Sequence, residues 1–435
     1  MHFRSLFFPA AILFAAGTVQ AAIENATLDA AYAAVEPRVI EWRRDLHQNP
    51  ELSNREFRTA EKVAEHLRAL KFDTVETGVA HTGVVGTLRG GKPGPVIALR
   101  ADMDALPVQE QTGLPFASSA RGEYMGKDVP VMHACGHDTH VAMLMGAAQI
   151  LAQHREDLAG TVKFIFQPAE EGAPPGEEGG AALMVKEGVL EGPDAPEAII
   201  GLHVWPDDAG SLVYRSGSFM AAADSIEITI TGRQTHGSSP WLGVDPIYVA
   251  GQVLSALQGI PGRHIDITRG PAVLTIGSIQ GGVRGNIIPD DVTMLGTVRT
   301  FDRGERERLL ERLRATVTAI AEANGASASV DVTYSTPVTG NDPQLLRQMM
   351  PTLVRAAGED RVFEGNLITG AEDFSYYQEH IPGMFIMLGV GDPSVPRSER
   401  PSNHSPFFTA QEDALIVGVR TLVGFAMDYA ERGGL

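Results

Sequence analysis

The sequence predicts an α/β protein in which a large domain, built on a mostly parallel sheet covered by helices, carries an inserted ferredoxin-like α+β domain. Three observations lead there. Short apolar runs rich in β-branched residues, VIALR (96–100), TVKFIFQ (161–167) and AIIGLHV (198–204), alternate with helical stretches, as in a parallel sheet covered by helices. That rhythm breaks between about 222 and 334, where the elements read β-α-β-β-α-β, the order of a ferredoxin-like unit. A chain of 435 residues is also too long for one average domain.

The elements follow in order. Residues 1–21 have the form of a secretory signal peptide: MHFR carries positive charge, SLFFPAAILFAAGTV is apolar, and Val19-Gln20-Ala21 is a small-residue cleavage site. This predicts a secreted protein, with a bacterial periplasm as the address. Val39, Trp42 and Leu46 then repeat at helical spacing. A second helix is expected from Ser53, whose hydroxyl would form a capping box with Glu56, with Phe57, Ala60, Val63, Leu67 and Leu70 on its apolar face. VAMLMGAAQILAQ reads as a buried helix between the first two long strands.

Beyond residue 221, SIEITITG is a strand of alternating faces and DPIYVAGQVLSALQGI a helix opened by Asp245-Pro246. AVLTIGSIQGG and NIIPDDVTMLGTVRTFD supply two strands, ERERLLERLRATVTAIAEAN a helix and ASVDVTYS the last strand. The expected organisation is therefore signal peptide 1–21, large domain 22–221, inserted domain 222–334, and the rest of the large domain 335–435.

A net charge of −19 repels phosphate backbones and anionic lipid, so nucleic-acid and membrane binding are disfavoured. No run after the leader is long and apolar enough to cross a bilayer. One cysteine, Cys135, allows no internal disulfide.

Four polar clusters follow the apolar strands. LRADMDALP holds Asp102 and Asp104; MHACGHDTH holds His133, Cys135, His137, Asp138 and His140; FQPAEEG holds Glu170 and Glu171; GLHVWP holds His203. Ligands of open α/β sheets collect outside the carboxyl ends of the strands, where these clusters are expected. Cys135 and His137 offer a thiolate and an imidazole that one turn can present together, and Glu171 and His203 add a carboxylate and a second imidazole. Such donors suit zinc and tolerate manganese or cobalt. Glu170 and Glu171 point to opposite sides of an extended segment, so one can bind metal while the other acts as general base on metal-activated water.

Taken singly, most of these features have ordinary explanations: a histidine at a strand end is usually hydrogen-bonded structure, a Glu-Glu pair a solvated turn, and Asp102 or Asp104 a helix cap. Their joint placement at successive strand ends favours the metal site. A cysteine hydrolase with Cys135 as nucleophile and His137 as base is the weaker alternative, because close sequence neighbours rarely pair that way and the glutamates would have no role.

The motifs RRDLHQNPELSNRE, LRADMDALPVQE, MHACGHDTHVAMLMGAA, FIFQPAEEG, GLHVWP, TGRQTHGSSPW, GNIIPDDVTMLGTVRTF, GAEDFSYY and NHSPFF, in this order, resemble the M20 metallopeptidases. The resemblance is to the subgroup of aminoacylases, hippurate hydrolases and auxin-conjugate amidohydrolases. It implies two divalent metals per subunit (zinc or manganese, with cobalt or nickel possible) held by Cys135, His137, Glu171, His203 and His404. It implies Glu170 as general base and Asp104 as a residue that orients a ligand without binding metal. Cys135 stands where many M20 relatives have a bridging aspartate, and Asp102 where they have a ligating histidine.

The inserted domain would be the family's lid and dimerisation domain. His236 and Asn286 would reach the substrate in the partner subunit of a homodimer, and Arg299 would be the candidate for a substrate carboxylate. The expected activity is metal-dependent hydrolysis of the amide bond of an N-acyl amino acid or a similar small amide. A dipeptidase or carboxypeptidase using the same site is the near alternative, and a non-catalytic periplasmic metal- or ligand-binding protein the distant one.

Overall fold

The computed structural model describes the backbone of residues 11–434 and the side chains of residues 27–434. Its first element, helix α1 (Ala11–Gln48), runs unbroken through the cleavage point expected after Ala21. Residues 1–10, the start of the expected signal peptide, lie outside the described residues.

The central sheet has eight strands in the order Thr74–Val79, Gly83–Arg89, Ala159–Gln167, Lys92–Asp102, Ala198–Asp208, Gly383–Gly391, Leu212–Tyr214 and Val362–Glu364. Its four middle strands, from Ala159–Gln167 to Gly383–Gly391, are mutually parallel, and antiparallel pairs occur only toward the edges. The middle strands are apolar along their length because helices bury both faces. On one face α1, α3 (His137–Gln153) and the helices Pro343–Ala357 and Leu415–Glu431 form a continuous core with the sheet. Helix α3 is packed between α1 and the helix Leu415–Glu431, which explains why fourteen of its residues are buried and no polar face shows in its sequence. The opposite face is covered by the short helices Gly180–Lys186 and Ser375–Gln378.

Helix α2 is Phe57–Ala69, and the expected capping box does not form. Its first N–H groups are taken instead by Glu51, whose carboxylate accepts from Arg58 and Thr59 at 2.9 and 2.8 Å. Ser53 and Glu56 are thereby free for bonds elsewhere: the Ser53 hydroxyl donates to Asp104 at 2.7 Å, and Glu56 reaches a distant turn. Ala60, Val63 and Leu67 face the core as expected, whereas Phe57 is exposed.

Residues 222–336 form a second sheet, in the order Ala272–Gln280, Asp291–Thr300, Ala222–Thr231, Ser327–Thr336, antiparallel throughout. Ile226, Ile228 and Ile230 point into it while Ser225, Glu227 and Thr231 face outward, the period-two pattern of a sheet with one wet face. Helices Pro246–Leu257 and Arg303–Ala323 cover the inner face and complete a separate core. Asp245 caps the first through the N–H groups of Ile247 and Tyr248, and Asp302 caps the second through Glu305. A two-stranded ribbon, Thr235–His236 with Ile287–Ile288, projects from this unit and was not foreseen.

Leu313 is fully buried in the smaller core. Leu313→Ala is expected to lower the unfolding free energy of this unit by about 2–5 kcal/mol. Urea unfolding followed by circular dichroism checks it.

Candidate metal centre

The site lies at the carboxyl ends of the parallel strands. Lys92–Asp102 delivers Asp102 and Asp104, Ala159–Gln167 leads into the Pro168–Gly172 turn, and Ala198–Asp208 carries His203. Cys135 and His137 stand at the start of α3, separated by Gly136 in a left-handed conformation (φ 95°). A Cβ at Gly136 would lie 2.5 Å from a methyl of Val204, so both backbone angle and space require glycine between the two donors.

Cys135 sits between two groups of donors. Its Sγ is 3.4 Å from His203 Nε2, and His137 belongs to the same cluster. On the other side it is 3.3 Å from His404 Nε2, which is itself 3.0 Å from a Glu171 oxygen. The five residues that the family resemblance named therefore converge, sharing the thiol. His203 donates Nδ1–H to its neighbour's carbonyl, Val204 O, at 2.8 Å, which turns Nε2 toward the sulfur. His137 uses Nδ1 against the Asp104 carbonyl at 2.8 Å, leaving its buried Nε2 without a hydrogen-bond partner. Glu170 lies beside these donors: one carboxylate oxygen is 3.9 Å from His137 Nε2, and its carboxylate clusters with His137 and Glu171.

Asp104 is bonded to several members of the cluster. Its carboxylate accepts from the N–H groups of Glu170 and Glu171 at 3.0 and 3.1 Å and lies 3.3 Å from His137 Nδ1. Three further residues had been assigned no role. Asp102 pairs with His140 Nδ1 at 2.5 Å, and His140 Nε2 accepts the Val204 N–H at 2.8 Å, fixing the strand beside His203. Asn403 donates to the carbonyls of Cys135 and Val204, strapping the C-terminal loop that carries His404. The three-residue spacing of His137 and His140 on one helix was the available signal for the first pair. Asn403 had none. Asp138 faces away from the donors and pairs with Arg43 and His47 of α1.

Charge in this pocket is unbalanced. Burial and then the charges of Glu372 and Glu171 push Glu170 well above the usual carboxylate range. Burial and then the charges of Glu171 and Glu170 raise the Cys135 thiol well above its ordinary value. Burial opposes protonation of His137, yet Asp102 and Asp104 outweigh it and push the imidazole up to about 10. Added cations would reverse each of these tendencies. The thiol, three imidazoles and a carboxylate, with an unpartnered buried nitrogen aimed among them, fit two divalent metals sharing the sulfur.

These residues open onto a cleft of about 610 Å³ that is also lined by Trp205, Met220, Tyr376 and Arg299. Arg299 is half-buried and donates to the Thr297 hydroxyl at 2.6 Å. His236 and Asn286 do not line this cleft. They are exposed neighbours on the projecting ribbon, joined by the Gly237 N–H to the Asn286 carbonyl at 2.9 Å.

A thiol shared by two donor groups, with a further glutamate beside them, is the donor chemistry of a metal-dependent amide hydrolase, the class to which its relatives belong. Residues 98–428 match the family described as peptidase family M20/M25/M40, and the chain belongs to it. It is 39% identical over 405 residues to thermostable carboxypeptidase 2 of Saccharolobus solfataricus, covering 92% of this chain and 97% of that protein. It is 40% identical over 399 residues to an N-acetylcysteine deacetylase of Bacillus subtilis, covering 92% and 98%. A crystal structure of a dinuclear metal binding peptidase from the M20 family, from Bacillus subtilis, superposes with a TM-score of 0.76 at 37% identity, covering 92% of this chain and 99% of that one. The comparisons overturn the expected secretion to a bacterial periplasm, because the matched relatives, the deacetylase among them, are cytoplasmic enzymes.

Gly136→Ala is expected to lower bound divalent metal, measured by elemental analysis, and the melting temperature. Gly251→Ala, at an exposed mid-helix position where a Cβ meets open space, leaves bound metal unchanged and does not lower the melting temperature.

Proposed function

We propose that this protein hydrolyses the amide bond of N-acyl amino acids or related small amides. The observation that carries the reading is the convergence of two donor groups on Cys135, with Glu170 lining the same cleft beside His137 and Glu171. Two divalent cations held there, one by Cys135, His137 and His203 and the other by Cys135, Glu171 and His404, would supply the Lewis acidity that activates water and polarises the scissile carbonyl. Zinc or manganese suits the donors best, with cobalt or nickel as substitutes.

Glu170 accepts the proton of the attacking water and returns it to the leaving nitrogen. Asp104 keeps His137 and the Glu170–Glu171 turn in place. Arg299, at the cleft wall, pairs with a substrate carboxylate.

We further read residues 222–334 as a lid and dimerisation domain between the two parts of the catalytic domain, 22–221 and 335–435. His236 and Asn286 then enter the cleft of a second copy and donate to the oxyanion that forms on attack. Their exposure on a projecting ribbon, away from their own cleft, supports this arrangement. The similarity to thermostable carboxypeptidase 2 keeps a second reading in view, in which the acyl half is itself an amino acid. Parallel assays of N-acetyl and N-benzoyl amino acids and of free dipeptides separate the two.

Chelation should abolish hydrolysis and added divalent metal should restore it; activity that survives complete metal removal and dies on thiol alkylation would instead identify Cys135 as a nucleophile. Glu170→Gln is expected to lower turnover by about 10²–10⁴-fold with metal content unchanged. Glu170→Gln and His236→Ala proteins should each be nearly inactive alone and regain activity when mixed and allowed to exchange subunits. No recovery on mixing would refute the shared site.

A further inference from the structure

Ala169, immediately before Glu170, is buried and holds a left-handed backbone conformation (φ 52°) that alanine adopts only at a cost. Its N–H, and those of Glu170 and Glu171, all end on carboxylates from elsewhere in the chain. Asp104 takes the second and third. Glu56 takes the first: one oxygen accepts the Ala169 N–H at 2.9 Å, and the other accepts the Thr82 hydroxyl at 2.5 Å. Glu56 is fully buried, 113 residues from Ala169 in sequence, and does not line the cleft. Burial and the nearby charge of Asp104 push its carboxyl up to about 8, so placing an acid here is unfavourable unless its bonds are needed.

We propose that Glu56 is a positioning residue for the reaction: through the Ala169 N–H it holds the turn in its left-handed form and so aims the Glu170 carboxylate into the cleft. The proposal rests on the reading of Glu170 as the base. Thr82 fixes the far end of the Glu56 carboxyl, and α2 fixes its backbone, since the Glu56 carbonyl accepts the Ala60 N–H at 2.8 Å. With the clamp gone, the Ala169 N–H is left buried and unpaired, and the turn relaxes toward an ordinary backbone region. Glu170 is then displaced from the reacting atoms, while the four donors outside the turn, Cys135, His137, His203 and His404, are held by other bonds and retain the metals.

The test uses the metal-loaded enzyme. Glu56→Ala is expected to lower kcat on the order of 100-fold with KM little changed, as for a small misplacement of a reacting group. Bound metal per chain remains that of the wild type. Glu56→Gln keeps the oxygen that accepts from Ala169 and recovers most of the loss. Amide hydrogen exchange supplies a readout independent of activity: residues 168–172 exchange faster in Glu56→Ala while α3 keeps its protection. Thr82→Val frees one end of the carboxyl with less damage to the fold, and a smaller fall in kcat with faster exchange at 168–172 supports the clamp. Wild-type kcat and exchange in either variant, equal losses in Glu56→Ala and Glu56→Gln, or loss of metal in Glu56→Ala overturns it. If Glu170→Gln keeps full activity, the reading of Glu170 fails, and the exchange data still decide whether Glu56 holds the turn.

Discussion

Around Cys135 the ends of two parallel strands gather Asp102 and Asp104, which are buried, and Glu170 and Glu171, which line the cleft, with Glu372 and Asp373 close behind. Like charges this near raise one another's proton affinity, and burial adds to the effect. The pocket resolves the conflict in two ways. Each carboxylate that only supports the site is satisfied by fixed donors: Asp104 by two backbone N–H groups and Ser53, Asp102 by His140 and Arg100. Donors left without such partners, above all His137 Nε2, face the shared thiol, where cations complete the balance.

Arg100 carries much of the remaining compensation. Its guanidinium is fully buried and pairs with Asp102 at 2.6 Å, Asp373 at 3.0 Å and Glu372 at 3.1 Å, while its Nε donates to Gln167. It thereby ties the strand before the site to the strand beside it and to the GAEDF loop. A buried ion cluster is expensive to desolvate and does little for net stability; its effect is to fix one arrangement of the groups it joins.

Much of this was legible beforehand. The parallel core and the β-α-β-β-α-β unit follow from hydrophobic periodicity, which reports burial directly, so VIALR and SIEITITG told their surroundings apart. Metal chemistry was legible because Cys135, His137, Glu171 and His203 lie in short motifs at strand ends. His404 was not, since a lone histidine in a loop carries no pattern; it required the family resemblance. Ser53 and Glu56 misled for an instructive reason. Their spacing is that of a capping box, but spacing gives no information about competitors, and Glu51, Asp104 and Ala169 offered better partners.

The sequence by itself determined the fold class, the donor types and the kind of chemistry, because these depend on local pattern and on the intrinsic character of side chains. Only the tertiary structure decided which donors come together around Cys135, that Asp102 serves His140, that Asn403 straps the His404 loop, and that His236 and Asn286 stand outside their own cleft. Those outcomes depend on contacts between residues tens to hundreds of positions apart, and such contacts are set by how the strands order in the sheet.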